Sequence, residues 1–184
     1  ITMDDEKTRN SLSDQMINLL STTIEEVSVD KLIKVIVIAA TGKIFCSGHN
    51  LKEITVAREN NDQGESYFRD LFESCSILMQ SIVNCPKPVI AEVDGIATAA
   101  GCQLVASCDL AVASDSSSFA TPGVNLGLFC STPMVALSRN VKKKDAMKML
   151  LTGDMIDSAE AKRISLINDH VPSGNLSTEV MELA

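Results

Sequence analysis

The chain has 184 residues, a length typical of one domain, and its hydrophobic fraction of 45% is enough to build a core. Aromatic residues make up only 3% and tryptophan is absent, which excludes an extended stacking surface for single-stranded nucleic acid. The net charge of -8 disfavours a polyanionic partner, although a small basic cluster can still bind a single phosphate group. The longest purely apolar run, residues 35–40, is too short to span a bilayer.

The cysteine and histidine pattern argues against a metal site. The six cysteines, at positions 46, 75, 85, 102, 108 and 130, form no Cys-x-x-Cys pair, and the only histidines are His49 and His170. Several of these cysteines lie within apolar segments, which is typical of buried thiols in a reducing compartment. No targeting peptide is visible, but the chain begins at Ile1, so its composition leaves the localisation open.

The first half of the chain predicts two helices and two buried strands. Ser13 can cap a helix whose apolar residues are Met16, Leu19, Leu20, Ile24 and Val27. Residues 34–40 are a short β-branched run and predict a buried strand. Apolar spacing predicts a longer helix over residues 65–83, which Pro86 and Pro88 end, and residues 89–93 predict a second buried strand.

The second half continues the alternation. Asp94-Gly95 predicts a turn, residues 99–107 a helix of small side chains, and residues 110–113 a third strand. Helices are predicted over residues 133–139 and 142–151, with Gly153 as the C-terminal stop, and Ser158 is predicted to cap another short helix. Alternating strands and helices predict an α/β fold with a mainly parallel sheet.

Two segments place a helix start directly after a strand. They are residues 45–53 (FCSGHNLKE) and residues 94–104 (DGIATAAGCQL). Free N–H groups at a helix start stabilise negative charge, and small residues let a substrate carbonyl approach them. Two such groups aimed at one oxygen form an oxyanion hole, in which one donor contributes about 3–4 kcal/mol to the transition state. Either segment alone is better explained as an ordinary turn with close helix–sheet packing.

Taken together, the two segments resemble the crotonase, or enoyl-CoA hydratase/isomerase, superfamily. Its patterns are F-x-x-G-x-D-L-K and V-x-G-x-A-x-G-G-G-x-x-L-x-x-x-C-D. The chain matches the second at Val93, Gly95, Ala97, Gly101, Leu104, Cys108 and Asp109. Residues 9–12, 86–91 and 150–153 match other parts of the family in the same order and spacing.

The resemblance runs from Thr2 to the end of the chain and implies a crotonase-like ββα/βαβ spiral. It implies one domain over residues 1–184 that is incomplete at the C-terminus, where the family's last helices close the acyl pocket and help to build trimers. We also expect it to be incomplete at the N-terminus, because family members usually begin with a strand before the turn at residues 1–5.

The resemblance also implies the residues of a thioester site. The oxyanion donors would be the backbone N–H groups of His49 and Ala100. Cys46, Gly48 and His49 would line the pocket for the CoA adenine, and Lys52 would reach a CoA phosphate. A solvated lysine on a helix face explains Lys52 equally well. The His49 side chain is interpreted as a loop residue rather than a base.

Both glutamates that the family's hydratases use for acid–base catalysis are absent. The first position holds Gln103, the second holds Gly123, and the acid of some isomerases is replaced by Ser131. An amide has no useful basicity, and one acid or base contributes about 10²–10⁴-fold, so most hydratase activity should be lost. Cys130, Ser131 and Asp115 are polar groups nearby in sequence, but a buried thiol, a helix cap and a turn residue explain them more simply.

These observations predict an acyl-CoA-binding protein linked to fatty-acid metabolism, with weak or absent hydratase activity. No separate cofactor is expected, because the CoA thioester is itself the substrate or ligand. Similarity to a mitochondrial family member predicts a mitochondrial location, with a cytoplasmic one as the alternative, and the family predicts a homotrimer or hexamer for the full-length protein. Two other functions stay open: an active hydratase or isomerase with substitute residues, and a non-catalytic homologue that acts by assembly with related subunits.

Overall fold

The computed structural model describes residues 1–184 as nine strands and eight helices. The strands are β1 (Thr2–Met3), β2 (Ile36–Ala40), β3 (Ile44–Cys46), β4 (Val89–Val93), β5 (Ile96–Thr98), β6 (Leu110–Ser114), β7 (Ser118–Ala120), β8 (Ile156–Asp157) and β9 (Asp169–Val171). The helices are α1 (Asp14–Val29), α2 (Leu51–Ala57), α3 (Glu65–Val83), α4 (Ala100–Ser107), α5 (Ser131–Asn140), α6 (Lys143–Thr152), α7 (Ser158–Arg163) and α8 (Leu176–Leu183).

The larger sheet has five strands in the order β1-β2-β4-β6-β9, and every neighbouring pair is parallel. The three predicted strands are β2, β4 and β6, which lie side by side at its centre. A tight hairpin cannot join two parallel neighbours, so the chain must cross over the sheet between them. The helices between the strands form these crossovers. The α/β architecture with a mainly parallel sheet is therefore confirmed.

A second sheet, in the order β3-β5-β7-β8, was not predicted. Each central strand of the large sheet turns after a few residues into a short strand of the second one: β2 leads to β3, β4 to β5 and β6 to β7. Gly95 makes the middle turn possible, because it has a φ of 94° and a Cβ there would lie 2.1 Å from the Lys43 carbonyl oxygen. The two sheets thus form a spiral of strand–turn–strand units.

The helices cover the sheets with the apolar faces that the sequence predicted. Ser13 caps α1 as expected, since its Oγ accepts a hydrogen bond from the Met16 N–H at 3.1 Å. The buried faces of α1 and α3 pack against each other in the main core and include Ile17, Leu20, Ile24, Leu71, Leu78 and Ile82. None of the helices is both long enough and apolar enough to cross a bilayer.

Two predicted helix caps were wrong. Asp157, not Ser158, caps α7, because its carboxylate accepts from the Glu160 N–H at 2.8 Å. The Ser158 hydroxyl is instead buried and donates to the carbonyls of Ser114 and Ser117. Ser131 is the first residue of α5 rather than its cap, a position that Cys130 occupies without a side-chain hydrogen bond. Gly153 ends α6 in the left-handed conformation, as predicted.

Candidate active site

The two loops singled out in the sequence are in direct contact. The Thr98 hydroxyl donates to the Ser47 carbonyl at 3.2 Å. A Cβ on Gly101 would lie 2.2 Å from the Cys46 carbonyl oxygen, and a Cβ on Gly48 would lie 3.3 Å from the Ala100 nitrogen. Glycine is therefore required at 101 and favoured at 48 because the two backbones approach more closely than side chains allow.

The Ala100 N–H lies at the start of α4. As the first residue of the helix, Ala100 has no carbonyl within that helix to which its N–H can donate. The preceding residue, Ala99, has φ 52° and ψ -119°, a conformation that normally favours glycine. Its own N–H is held by the Ala120 carbonyl at 2.9 Å. Such strain persists only where the surrounding structure imposes it, and here it sets the direction of the next N–H group.

The His49 backbone lies just before α2, against the loop that precedes α1. The Leu12 N–H donates to the Gly48 carbonyl at 2.8 Å, and Leu12 forms an isolated parallel bridge with His49. In a parallel bridge of this kind, the N–H of His49 is not used for pairing with Leu12. The structure thus places the two predicted donors on loops that touch.

The His49 side chain is a packing group of the loop. Its ring lies edge-on to Phe72 with 5.6 Å between the ring centroids, and both ring nitrogens are buried without a hydrogen-bond partner. Burial lowers the pKa of His49 below its usual value, because the imidazolium cannot be solvated there. A neutral packing residue is consistent with the interpretation of His49 as a loop residue.

The other residues predicted to bind CoA differ in what they expose. Cys46 is fully buried, backbone included, and burial raises the pKa of its thiol to about 12. Gly48 is also buried, and because glycine has no side chain, Ala99 and Ala100 can pack directly against it. Lys52 is exposed in the first turn of α2 and forms no salt bridge, so its ammonium is free to bind a phosphate or remain solvated.

Gln103 lies in the first turn of α4, and its N–H donates to the Ala99 carbonyl at 3.0 Å. Its side chain is only 6% exposed, and its Oε1 has no hydrogen-bond partner. A buried amide oxygen without a partner costs about 1–3 kcal/mol, which a bound water or ligand could recover. The residue at the first glutamate position is therefore a buried polar group with unused capacity.

Gly123 lies in a 3-10 turn over Pro122–Leu126. Gly123 is not among the residues with left-handed backbone, so conformational freedom does not explain the glycine. Contact explains the glycine instead: a Cβ there would lie 2.7 Å from the Cys130 Sγ and 2.9 Å from the Leu128 carbonyl oxygen. The Cys130 thiol thus fills the space into which a glutamate at position 123 would project.

The remaining polar candidates separate in space. Cys130 is partly exposed, and its thiol lies near Cys102, whose pKa burial raises to about 12 with a smaller contribution from Cys130. Asp115 lies at the end of β6, where its carboxylate is 2.6 Å from the Nδ1 of His170.

Sequence reasoning missed Thr121, whose hydroxyl is fully buried without a partner two residues before Gly123. No sequence signal marks that hydroxyl, because its burial depends on the tertiary structure.

Comparison with known proteins settles the family. The profile of the family described as "Enoyl-CoA hydratase/isomerase" matches residues 1–184. The chain belongs to the enoyl-CoA hydratase/isomerase family. Its relatives in this family include the mitochondrial enoyl-CoA hydratase domain-containing protein 3 of Mus musculus, which is 51% identical over all of this chain and 60% of the mouse protein. The Homo sapiens protein of the same name is 50% identical over all of this chain and 59% of its own length. The chain thus spans about 60% of the length of these curated relatives.

Solved structures of the enoyl-CoA hydratase/isomerase family share the fold. The crystal structure of human enoyl-CoA hydratase domain-containing protein 3 matches with a TM-score of 0.92 and 50% identity, over 99% of this chain and 70% of that one. An enoyl-CoA hydratase of Mycobacterium smegmatis matches with a TM-score of 0.91 and 43% identity, again over 99% of this chain and 70% of that one. The crotonase-like fold predicted from the two loops is confirmed.

Proposed function

We propose that this protein binds an acyl-CoA thioester through the backbone N–H groups of His49 and Ala100. The observation that carries the proposal is the contact between the two loops at Gly48 and Gly101, where a Cβ would collide with the opposite backbone. This contact holds the two N–H groups in one small region, where they can donate to a single thioester oxygen. Membership of the enoyl-CoA hydratase/isomerase family supports the same ligand class.

Hydration of an enoyl thioester by this site is slow or absent. The reaction requires a base that activates water, and Gln103 offers only a neutral amide. Gly123 offers only backbone, and the contact with Cys130 excludes a side chain from that position. The donors that stabilise an enolate are backbone groups and do not depend on either residue. Thioester binding and enolate stabilisation are therefore retained while water activation is lost.

The relatives of the protein support a proposal for its location in the cell. The curated relatives carry the word mitochondrial in their names, which supports a mitochondrial location. A role in fatty-acid metabolism is part of the same proposal and rests on the acyl-CoA ligand. Cys46, Gly48, His49 and Lys52 would contact the CoA portion, with the Lys52 ammonium on a phosphate. The thioester is the only small molecule that the site requires, and the protein assembles as a homotrimer or hexamer.

Binding and hydration are tested separately. Calorimetric titration with crotonyl-CoA should give saturable binding tighter than that of free CoA, because only the thioester offers an oxygen to the two donors. Absorbance of the crotonyl-CoA double bond should decrease no faster with the protein than in buffer, or at a rate far below that of a true hydratase.

A matched variant separates the two parts of the ligand. Lys52→Ala should weaken crotonyl-CoA and free CoA by the same factor, because a phosphate contact is common to both. Lys148→Ala, which removes an exposed lysine from α6, should change neither. Absence of any thioester binding would refute the proposed function, and rapid hydration would refute the loss of water activation.

A further inference from the structure

The space of the second glutamate is occupied by a thiol. Gly123 and Cys130 are seven residues apart in sequence, yet a Cβ on Gly123 would lie 2.7 Å from the Cys130 Sγ. The intervening turn is held by the Leu128 N–H, which donates to the Gly123 carbonyl at 2.9 Å. A side chain at position 123 and the Cys130 side chain would thus compete for one volume, and in this chain cysteine fills it.

Two buried polar groups without partners lie in the elements around this thiol. Gln103, which follows Cys102 in α4, has an unpaired Oε1, and it is only 6% exposed. Thr121, two residues before Gly123, has a fully buried hydroxyl with no hydrogen-bond partner. Orphaned buried groups are rare in folded proteins, and their hydrogen-bonding capacity is ordinarily met by a water or a ligand. Gln103 and Thr121 therefore each keep a hydrogen-bonding capacity that a water or a ligand can meet.

Cys130 differs from most other cysteines of the chain in being accessible. Cys46, Cys75, Cys102 and Cys108 are buried, whereas Cys130 and Cys85 are partly exposed. Cys130 is also the N-cap residue of the ten-residue helix α5, and its thiol accepts no hydrogen bond from that helix. Cys85 lies in the loop after α3.

We propose that Cys130 is a catalytic residue that transfers the proton at the α-carbon of the bound thioester. This inference rests on the proposed thioester binding and names the group that acts on the ligand. It makes the protein an enolate-forming enzyme rather than a hydratase. Gln103 and Thr121 do not titrate and serve to hold the thioester or a water beside the thiol.

The step balances without any further reactant. The Cys130 thiolate takes a proton from the α-carbon, which forms an S–H bond and breaks a C–H bond. The electron pair of that C–H bond moves into the new carbon–carbon double bond of the enolate, and the negative charge comes to rest on the thioester oxygen between the His49 and Ala100 N–H groups. Exchange of the S–H proton with solvent and its return to carbon replace hydrogen by deuterium in heavy water.

Deuterium exchange into butyryl-CoA is the direct test. In heavy water the protein should replace the hydrogens on C2, as followed by proton NMR, whereas Cys130→Ala and Cys130→Ser should lose about 10²–10⁴-fold of that rate. Cys85→Ser is the matched control and should exchange at the original rate. Calorimetry should show that all three variants bind butyryl-CoA within about threefold of the natural protein.

Protection from alkylation provides a second readout. Iodoacetamide followed by peptide mass spectrometry should label both Cys130 and Cys85, and butyryl-CoA should slow labelling of Cys130 alone. Butyryl-CoA binding without exchange, or exchange that persists in Cys130→Ala, would overturn the assignment of Cys130 and leave thioester binding intact. Absence of butyryl-CoA binding would overturn the proposed function and this inference together.

Discussion

At the scale of single residues, the proposed oxyanion donors are backbone groups and do not depend on the side chains that carry them. The His49 ring is packed against Phe72, and a buried Gln103 amide stands where the family's hydratases have a carboxylate. The position of the two proposed donors therefore depends on main-chain geometry, which substitutions of side chains disturb only by changing the packing. Gly48 and Gly101 are the positions where that packing is tightest.

His49 makes stability depend on pH. Burial lowers its pKa in the folded state below the ordinary value of 6.5, so the unfolded chain binds more protons once the pH falls below about 6.5. The free energy of unfolding should therefore keep its full value above pH 7 and decrease as the pH falls below about 6.5. Urea unfolding between pH 7.5 and pH 5 should show this slope in the natural protein and lose it in His49→Gln. His170→Gln, which leaves His49 in place, should keep the slope, and an unchanged slope in His49→Gln would contradict the assignment.

The two missing glutamates are not equally restorable. Gln103→Glu changes a buried amide to a carboxylate of the same shape and should raise crotonyl-CoA hydration, by at most the factor of about 10²–10⁴ that one base contributes. Gly123→Glu should instead destabilise the fold by about 1–3 kcal/mol, because its Cβ would meet the Cys130 Sγ and the Leu128 carbonyl. Hydration assays and urea unfolding of both single variants measure the two effects. Gln103→Ala is the control and should show no gain in rate; an equally stable Gly123→Glu would show that the contact is not restrictive.

At the scale of elements, one buried side chain joins the start of the chain to the turn between the two sheets. The Asn10 Nδ2 donates to the carbonyls of Thr41 and Ile44 at 2.9 and 2.8 Å, and its Oδ1 accepts from the Asp5 N–H at 2.8 Å. These bonds fix where β2 ends and β3 begins, and β3 leads directly into the loop that carries His49. The site is therefore positioned by a residue that lies outside it.

Asn10→Ala should lower the free energy of unfolding by about 3 kcal/mol or more, because it leaves three backbone groups without their partner. Alanine also tolerates the φ of 50° at this position less well than asparagine does. Thermal or urea unfolding measures the loss, and Lys7→Ala, at an exposed position in the preceding turn, should be neutral. A loss below about 0.5 kcal/mol would mean that water replaces all three bonds.

At the scale of the whole molecule, the family relationship predicts assembly. Light scattering on the full-length protein at micromolar concentration should report the mass of a homotrimer or hexamer rather than that of a monomer. Several large apolar side chains on the turn before α5 and on α8 are exposed and would be covered by an interface: Leu126, Leu128, Phe129, Met181 and Leu183. A monomer at that concentration would contradict the prediction.

The sequence allowed the large sheet and the two loops to be predicted, because each depends on local signals. The central strands are short, mainly apolar segments, and the loops carry small residues at helix starts. The second sheet was missed because its strands have two or three residues, too few to show a period. The contact between Gly123 and Cys130 was missed because it is tertiary, and a glycine alone does not reveal whether it serves backbone freedom or space.

The central claim is that backbone N–H groups hold the thioester oxygen, and acetoacetyl-CoA tests it most directly. Its enolate absorbs in the near ultraviolet, so donors aimed at the oxygen should increase that band when the protein binds the compound at neutral pH. An ester in place of the amide at residue 100, introduced as lactic acid for Ala100, removes one N–H and leaves the side chain unchanged. The account predicts a strong enolate band with the natural protein and a weak one with the ester variant. Acetoacetyl-CoA that binds with no increase in the band, or with the same increase in both proteins, would contradict it.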